Sequence, residues 1–120
     1  MKTAEQAGFP ITTVHIDCAR IVDKATFHDV FAEALGFFAE YGRNMDAWID
    51  VMSSLDDEPS GLSTVTVVMG GALLLDLANV GVFAKQAPKQ YAGLIECAAF
   101  VNYRRIEVGG RPILMLSFQT

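Results

Sequence analysis

Short β-type runs alternate with segments of helical periodicity, and this alternation limits the possible fold more than any other feature of the chain. The run ITTVHIDC at 11–18 is rich in β-branched residues and predicts a first strand. Apolar residues then recur at the i, i+3, i+4, i+7 spacing of an amphipathic helix: Phe27, Val30, Phe31, Ala34, Leu35 and Phe38. Thr26 followed by Asp29 predicts a capping box at the start of that helix.

The alternation continues through the middle of the chain. Asn44 is a suitable N-cap for a second helix over 45–55, and DDEPSG at 56–61 predicts a turn. The run STVTVVM at 63–69 predicts a second strand that is covered on both faces. The glycine pair at 70–71 then predicts a turn into a short apolar helix over 72–80.

The last third of the chain predicts one long helix and a hairpin. Pro88 suits the first turn of a helix over 89–103. The glycine pair at 109–110 separates two β-type runs and predicts a hairpin whose second arm, 113–118, is a core strand. The resulting order is β-α-α-β-α-α-β with a short extra C-terminal hairpin strand. It predicts an α/β domain with a mainly parallel sheet. A length of 120 residues predicts a single domain, which we place at 11–120. The residues before it, 1–10, are expected to form a disordered tail.

Composition and missing motifs exclude several classes of function. A net charge of −5 argues against a nucleic-acid partner, because phosphates require clustered cations. No apolar run is long enough to span a membrane, and the start MKTAEQAGFP lacks a signal peptide, so we expect a cytoplasmic protein. We also expect a monomer. Cys18 and Cys97 are expected to be buried thiols. His15 and His28 are expected to be structural, His28 on the outside of the first helix; no cofactor or metal motif is present.

The second predicted helix carries its polar residues on one side. At about 100° per residue, one acidic stripe is formed by Asp46, Asp50, Ser53, Ser54 and Asp57. The opposite side, expected to face the core, is formed by Trp48, Val51, Met52 and Leu55. Met45 and Ile49 lie at the boundary. Asp46 and Asp50 are four residues apart, where like charges repel on a helix, so their placement requires an explanation.

Three explanations of the acidic stripe are open. It is a solvated polar face, which is the usual role of such stripes. It is a recognition face for a cationic pocket, with Tyr41, Met45 and Ile49 as exposed flanking contacts. It is a pair of catalytic carboxylates, which would need a cleft that separates their pKa values.

A resemblance favours the recognition face. The stretch YGRNMDAWID, from Tyr41 to Asp50, resembles the signature of the barstar family, approximately Y-G-x-N-hydrophobic-D-A-hydrophobic-x-D. The resemblance implies a three-stranded parallel sheet flanked by helices. It also implies a protein, not an enzyme, that inserts a helix and the loop before it into a ribonuclease active site, where carboxylates replace RNA phosphates. The matching positions are Tyr41, Gly42, Asn44, Met45, Asp46, Ile49 and Asp50.

The resemblance assigns roles to some of these positions. Asp50 is implied to contribute most, Gly42 to allow close backbone approach and Asn44 to cap the helix. The expected partner is a basic ribonuclease or a nuclease-type toxin. The protein itself is expected to be a bacterial immunity protein that protects the cell from this enzyme. Departures from the family pattern put the identity of the target in doubt. Glu40 stands where an aromatic residue precedes the tyrosine in the family pattern, and Glu96 is only a weak match for the acidic residue that family members can offer from the last long helix. Two alternatives stay open: a barstar-like regulatory module with a non-ribonuclease partner, and a carboxylate-dependent hydrolase.

Overall fold

The computed structural model describes residues 10–120, so the tail predicted at 1–10 lies outside the described residues except for Pro10. Within them, three strands form one parallel sheet in the order β1–β2–β3: β1 Ile11–Asp17, β2 Ala72–Ala78 and β3 Leu114–Phe118. β2 is central, and its register places Asp76 between His15 and Ser117. The prediction of a mainly parallel sheet flanked by helices is confirmed.

The same residues contain four α-helices: α1 Lys24–Leu35, α2 Met45–Ser53, α3 Val80–Gln86 and α4 Pro88–Glu107. Asp23, not Thr26, is the N-cap of α1. Its carboxylate accepts a hydrogen bond from the Thr26 backbone N–H, and the Thr26 hydroxyl accepts one from the Asp23 N–H. The capping box therefore starts three residues earlier than predicted. None of the helices in 10–120 is both long and apolar enough to cross a membrane.

The core lies between one face of the sheet and the helices. Leu73, Leu75 and Leu77 alternate along β2 and are fully buried. The predicted inner face of α2 is confirmed, since all four of its residues, Trp48, Val51, Met52 and Leu55, are buried. Trp48 packs edge-on against Phe31 of α1, with 5.6 Å between ring centroids. Each such side chain contributes about 1.5–3 kcal/mol through burial, so α2 is firmly attached to the core.

The central strand is not where local propensity places it. The predicted strand at 63–69 is wrong, because these residues cross the surface between α2 and the sheet; Val68 and Met69 are exposed. The predicted helix at 72–80 is also wrong, since ALLLDLA forms β2. Leucine and alanine favour helices. Here they form the only strand with a neighbour on each side in the described sheet, and burial of alternate leucines overrides propensity.

The predicted C-terminal hairpin is wrong as well, so no extra strand precedes β3 in the described residues. α4 continues to Glu107, and Gly109 adopts a left-handed conformation with φ +84°. The N–H groups of Gly109 and Gly110 donate to the carbonyls of Ile106 and Arg105, at 3.0 and 2.7 Å. This is the Schellman pattern of helix termination. The glycine pair therefore ends a helix and does not turn a hairpin.

Candidate functional site

The start of α2 is fixed by its cap. The Asn44 side-chain oxygen accepts a hydrogen bond from the Ala47 N–H at 2.8 Å, which confirms Asn44 as the N-cap. Asp46 lies in the first turn, where a negative charge is favoured by the free N–H groups of the helix. The position of one of the two motif aspartates therefore follows from the helix start itself.

The loop before α2 is attached to α1 by a buried polar contact. The hydroxyl oxygen of Tyr41 lies 2.6 Å from Nδ1 of His28, and the two residues are 7% and 1% exposed. His28 is therefore not on the outside of α1, as predicted. Burial, together with the smaller effects of the nearby charges of Arg43 and Lys24, lowers the pKa of His28 to about 4. Burial also raises the pKa of the Tyr41 hydroxyl. Both groups are neutral near pH 7, so a buried hydrogen bond between neutral groups attaches the Tyr41 loop to α1.

Arg43 holds the same loop from the outside. Its backbone is left-handed, with φ +55°, which is uncommon for a residue with a side chain. The guanidinium forms an ion pair with Asp29 of α1 at 2.8 Å and donates to the Ala25 carbonyl at 3.1 Å. A Cβ added at Gly42 would lie 3.4 Å from the Ala47 methyl group, an ordinary van der Waals contact, so residue 42 lies against the start of α2. The loop is therefore tightly constrained.

The two motif aspartates are exposed on one face of α2, as predicted, and the Asp50 side chain is 67% exposed. The predicted apolar flanks differ. Ile49 is only 8% exposed and Met45 is half-buried, so the expectation of exposed contacts at Tyr41 and Ile49 is wrong. Ile49 joins the four predicted residues on the buried side of α2, and Tyr41 is buried in the loop before the helix. The helix also ends at Ser53, so Asp57 lies beyond α2, directly before the short 3-10 helix Glu58–Ser60.

α4 packs beside α2 and widens this surface. Glu96 of α4 is exposed, and its neighbour Cys97 is partly buried, whereas Cys18 is fully buried as predicted. Burial raises the pKa of the Cys97 thiol, and the charges of Glu96 and Asp46 raise it further. Asp46 and Glu96 are thus exposed residues of two helices that pack side by side. We call the surface formed by Asp46, Asp50, Glu96 and Arg104 the α2–α4 face.

Two successive arginines of α4 join it to α2. Arg104 lies 3.4 Å from the Asp50 carboxylate. Arg105 forms a bidentate pair with Asp56, at 2.6 and 3.0 Å, and also donates to the Ser53 carbonyl at the end of α2. Hydrogen bonds from Arg105 hold the pKa of Asp56 below its ordinary value. The second pair is largely buried and geometrically good, so it fixes how α2 lies against α4.

A hollow borders each end of the α2–α4 face. One, of about 140 Å³, lies next to Met45, and its rim includes the exposed residues Lys24 and Lys89. The other is an open groove of about 470 Å³ at the C-terminal ends of α2 and α4, lined by Ser53, Ser54, Arg104, Arg105, Val108, Gly109 and Gly110. The acidic centre of the surface is thus flanked by cations on both sides.

A second polar group lies on the other face of the sheet, away from α2. Nδ1 of His15 is 2.8 Å from Asp76, which neighbours Ser117 on β3. The aspartate stands between the histidine and the serine, whereas nucleophilic catalysis needs the histidine between the other two. Within 10–120, no group of three or more His, Cys, Asp or Glu residues is placed to hold a metal ion.

Sequence reasoning found the α2 part of the site but missed its neighbours. The contacts of Arg43 with Asp29, of Arg104 with Asp50 and of Arg105 with Asp56 join residues 14, 54 and 49 positions apart. No local pattern identifies such pairs. The one available signal was the pair of arginines at the end of α4, where cations are favoured by the helix dipole.

Comparison with known proteins agrees with this geometry. No curated protein matches the chain. A family model described as Barstar (barnase inhibitor) matches residues 11–109, which include β1, β2 and all four described helices. The match covers most of the chain and contains the motif that begins α2. The protein therefore belongs to the barstar family.

Proposed function

We propose that this protein inhibits a basic ribonuclease, or a related nuclease-type toxin, by blocking its active site with α2 and the loop before it. The observation that carries the proposal is the exposure of Asp46 and Asp50 on one face of a helix that is capped by Asn44 and anchored by Trp48. The chain belongs to the barstar family, whose description is barnase inhibitor, and this membership supports the proposal of ribonuclease inhibition.

In this proposal the carboxylates of Asp46 and Asp50 take the places of RNA phosphates against cationic groups of the enzyme. Exclusion of water around such pairs strengthens each of them. Gly42 and Met45 supply contact area beside the carboxylates. Tyr41 and Ile49, which are buried, support the surface from beneath. Asn44 serves as the helix cap.

Rigidity is the second contribution of the fold. Tyr41 and Arg43 attach the loop to α1, while Arg105 attaches the end of α2 to α4. A binding surface that is already ordered loses little conformational entropy on association. The inhibitor would act as a monomer in the cytoplasm, with no cofactor and no turnover of RNA by the protein itself.

A second candidate is a regulatory module whose partner is not a ribonuclease. The observation that favours it is Arg104, whose positive charge lies directly beside Asp50. A pull-down from the native cell, followed by mass spectrometry, separates the two candidates. Recovery of a basic nuclease supports the first, and recovery of an unrelated protein class supports the second.

Inhibition of barnase provides the direct test, because the family is described by that activity. Purified protein should slow RNA hydrolysis by barnase, and Asp50→Ala should remove most of the inhibition. Glu33→Ala is the matched control, since it removes one exposed carboxylate from α1 outside the α2–α4 face. Equal inhibition by Asp50→Ala and Glu33→Ala would contradict the proposal.

A further inference from the structure

Asp50 already has a cationic neighbour in the unbound protein. Nη1 of Arg104 lies 3.4 Å from Oδ1 of Asp50, and the two side chains are 45% and 67% exposed. Such an exposed pair contributes little to folding stability. Its significance is its position, because Asp50 is the residue proposed to meet the cationic centre of the partner.

The neighbours of Arg104 limit where its charge can go. The guanidinium lies over the Phe100 ring, 5.9 Å from the centroid, where a cation is attracted to the aromatic face. The next residue, Arg105, is fixed by Asp56 and by the carbonyls of Ser53 and Arg111. The backbone of α4 at residue 104 is therefore held, and the charge stays at the edge of the α2–α4 face even if the side chain rotates.

A cation of a partner that contacts Asp50 must come close to Arg104. Two positive charges within the roughly 8 Å screening length of physiological salt repel each other, and exclusion of water strengthens the repulsion. A partner with only basic groups at this point is therefore disfavoured. A partner that also presents an acceptor to Arg104 converts the repulsion into an attraction.

The groove beside Arg104 has space for that acceptor. The hydroxyls of Ser53 and Ser54 donate to the Ile49 and Asp50 carbonyls, and Arg105 is neutralised by Asp56. Among these lining groups, Arg104 is the cation with the most exposed charge. A carboxylate is the acceptor that a guanidinium binds most strongly.

We propose that Arg104 is a specificity-determining residue. It weakens the binding of ribonucleases that present only cations to Asp50, and it selects a partner that carries a carboxylate beside the cation that Asp50 meets. This inference rests on the proposed function and specifies the partner of the same surface.

The test uses barnase as the probe. Dissociation constants are measured for the unmodified protein, Arg104→Gln, Asp50→Ala and Arg20→Gln, at low and at physiological salt. Arg20→Gln is the matched control, because Arg20 also forms an exposed ion pair, with Glu33, and its loss changes the net charge equally. We expect Arg104→Gln to bind barnase about tenfold more tightly at low salt, with a smaller gain at physiological salt, and Arg20→Gln to stay within about twofold.

The second arm adds an acceptor to the probe. Barnase variants that each carry one additional Asp or Glu at the rim of the active site are measured against the unmodified protein and Arg104→Gln. At least one variant should bind the unmodified protein more tightly than barnase does, and Arg104→Gln should remove that gain. Absence of any such variant would overturn the selection of a carboxylate.

The remaining outcomes separate the inference from the function on which it rests. If Asp50→Ala weakens binding while Arg104→Gln matches the unmodified protein, the role of Arg104 is overturned and the proposed function stands. If neither the unmodified protein nor Arg104→Gln binds barnase, or if all variants bind equally, the proposed function is overturned together with the inference.

Discussion

Nδ1 of His28 lies 2.6 Å from the hydroxyl oxygen of Tyr41, and this buried contact joins α1 to the loop that precedes α2. Tyr41 is the first residue of the family motif, so the motif begins with a structural anchor and not with an exposed contact. The consequence is that a change at Tyr41 acts first on stability and on the order of the loop, and only through these on binding.

Tyr41→Phe should lower the free energy of unfolding by about 1–2 kcal/mol, because it leaves a buried imidazole nitrogen without its hydrogen-bond partner. Urea unfolding measures the change. Tyr103→Phe is the control, since its hydroxyl contacts Glu107 on the exposed side of α4 and should contribute less than about 0.5 kcal/mol. Equal losses in the two variants would contradict the structural role of the buried contact.

Acidification should destabilise the protein through His28. Its pKa is about 4 in the folded state against an ordinary value of 6.5, so the unfolded chain binds the proton more readily. The stabilisation is complete above about pH 6.5 and is lost as the pH falls towards about 4, at up to about 1.4 kcal/mol per pH unit. Urea titrations between pH 4 and 7 measure it. His28→Gln should flatten the profile in this range, and an unchanged slope in that variant would contradict the role of His28.

Asp56→Ala should cost about 2 kcal/mol of stability, because it strands the largely buried guanidinium of Arg105. Asp57→Ala removes the same group from the neighbouring exposed position and should change stability by less than about 0.5 kcal/mol. Thermal and urea unfolding of the pair test this. A similar effect of both changes would show that the Arg105 pair does not hold α2 against α4.

Gly36→Ala should destabilise more than Gly61→Ala, although both glycines are left-handed, with φ +65° and +68°. An added methyl group at residue 36 would lie 2.6 Å from Thr64, whereas residue 61 has open space. Conformational strain alone costs about 1–2 kcal/mol, and the clash adds about 1–3 kcal/mol. Urea unfolding of the two variants isolates the clash as their difference. Equal losses would show that Thr64 moves away freely.

Asp50→Ala and Asp57→Ala should affect binding of a basic ribonuclease in different ways. Loss of Asp50 should weaken the complex by about 2 kcal/mol or more, mainly through faster dissociation, because a desolvated partner charge is left unpaired. Asp57 lies beyond the end of α2, so its loss should mainly slow association and reduce the dependence on salt. Stopped-flow kinetics with barnase at two salt concentrations measure both. Small and equal effects would indicate a solvated face without a binding role.

The sequence by itself determined the parts of the protein that depend on neighbours within a few residues. The cap at Asn44, the burial of Trp48 and Met52 and the exposure of Asp46 and Asp50 all follow from helical spacing and hydrogen-bonding groups close in the chain. The motif is local in the same sense, which is why it indicated the family before any contact was known.

Only the tertiary structure decided the position of the central strand and the surroundings of Asp50. The residues of β2 favour a helix locally, and they form a strand because β1 and β3 bond to both edges and the leucines fill the core. Arg104 reaches Asp50 across 54 residues of chain because α4 packs beside α2. Burial and long-range charge are properties of the assembled chain, and the free energy that they supply exceeds the small differences in local propensity.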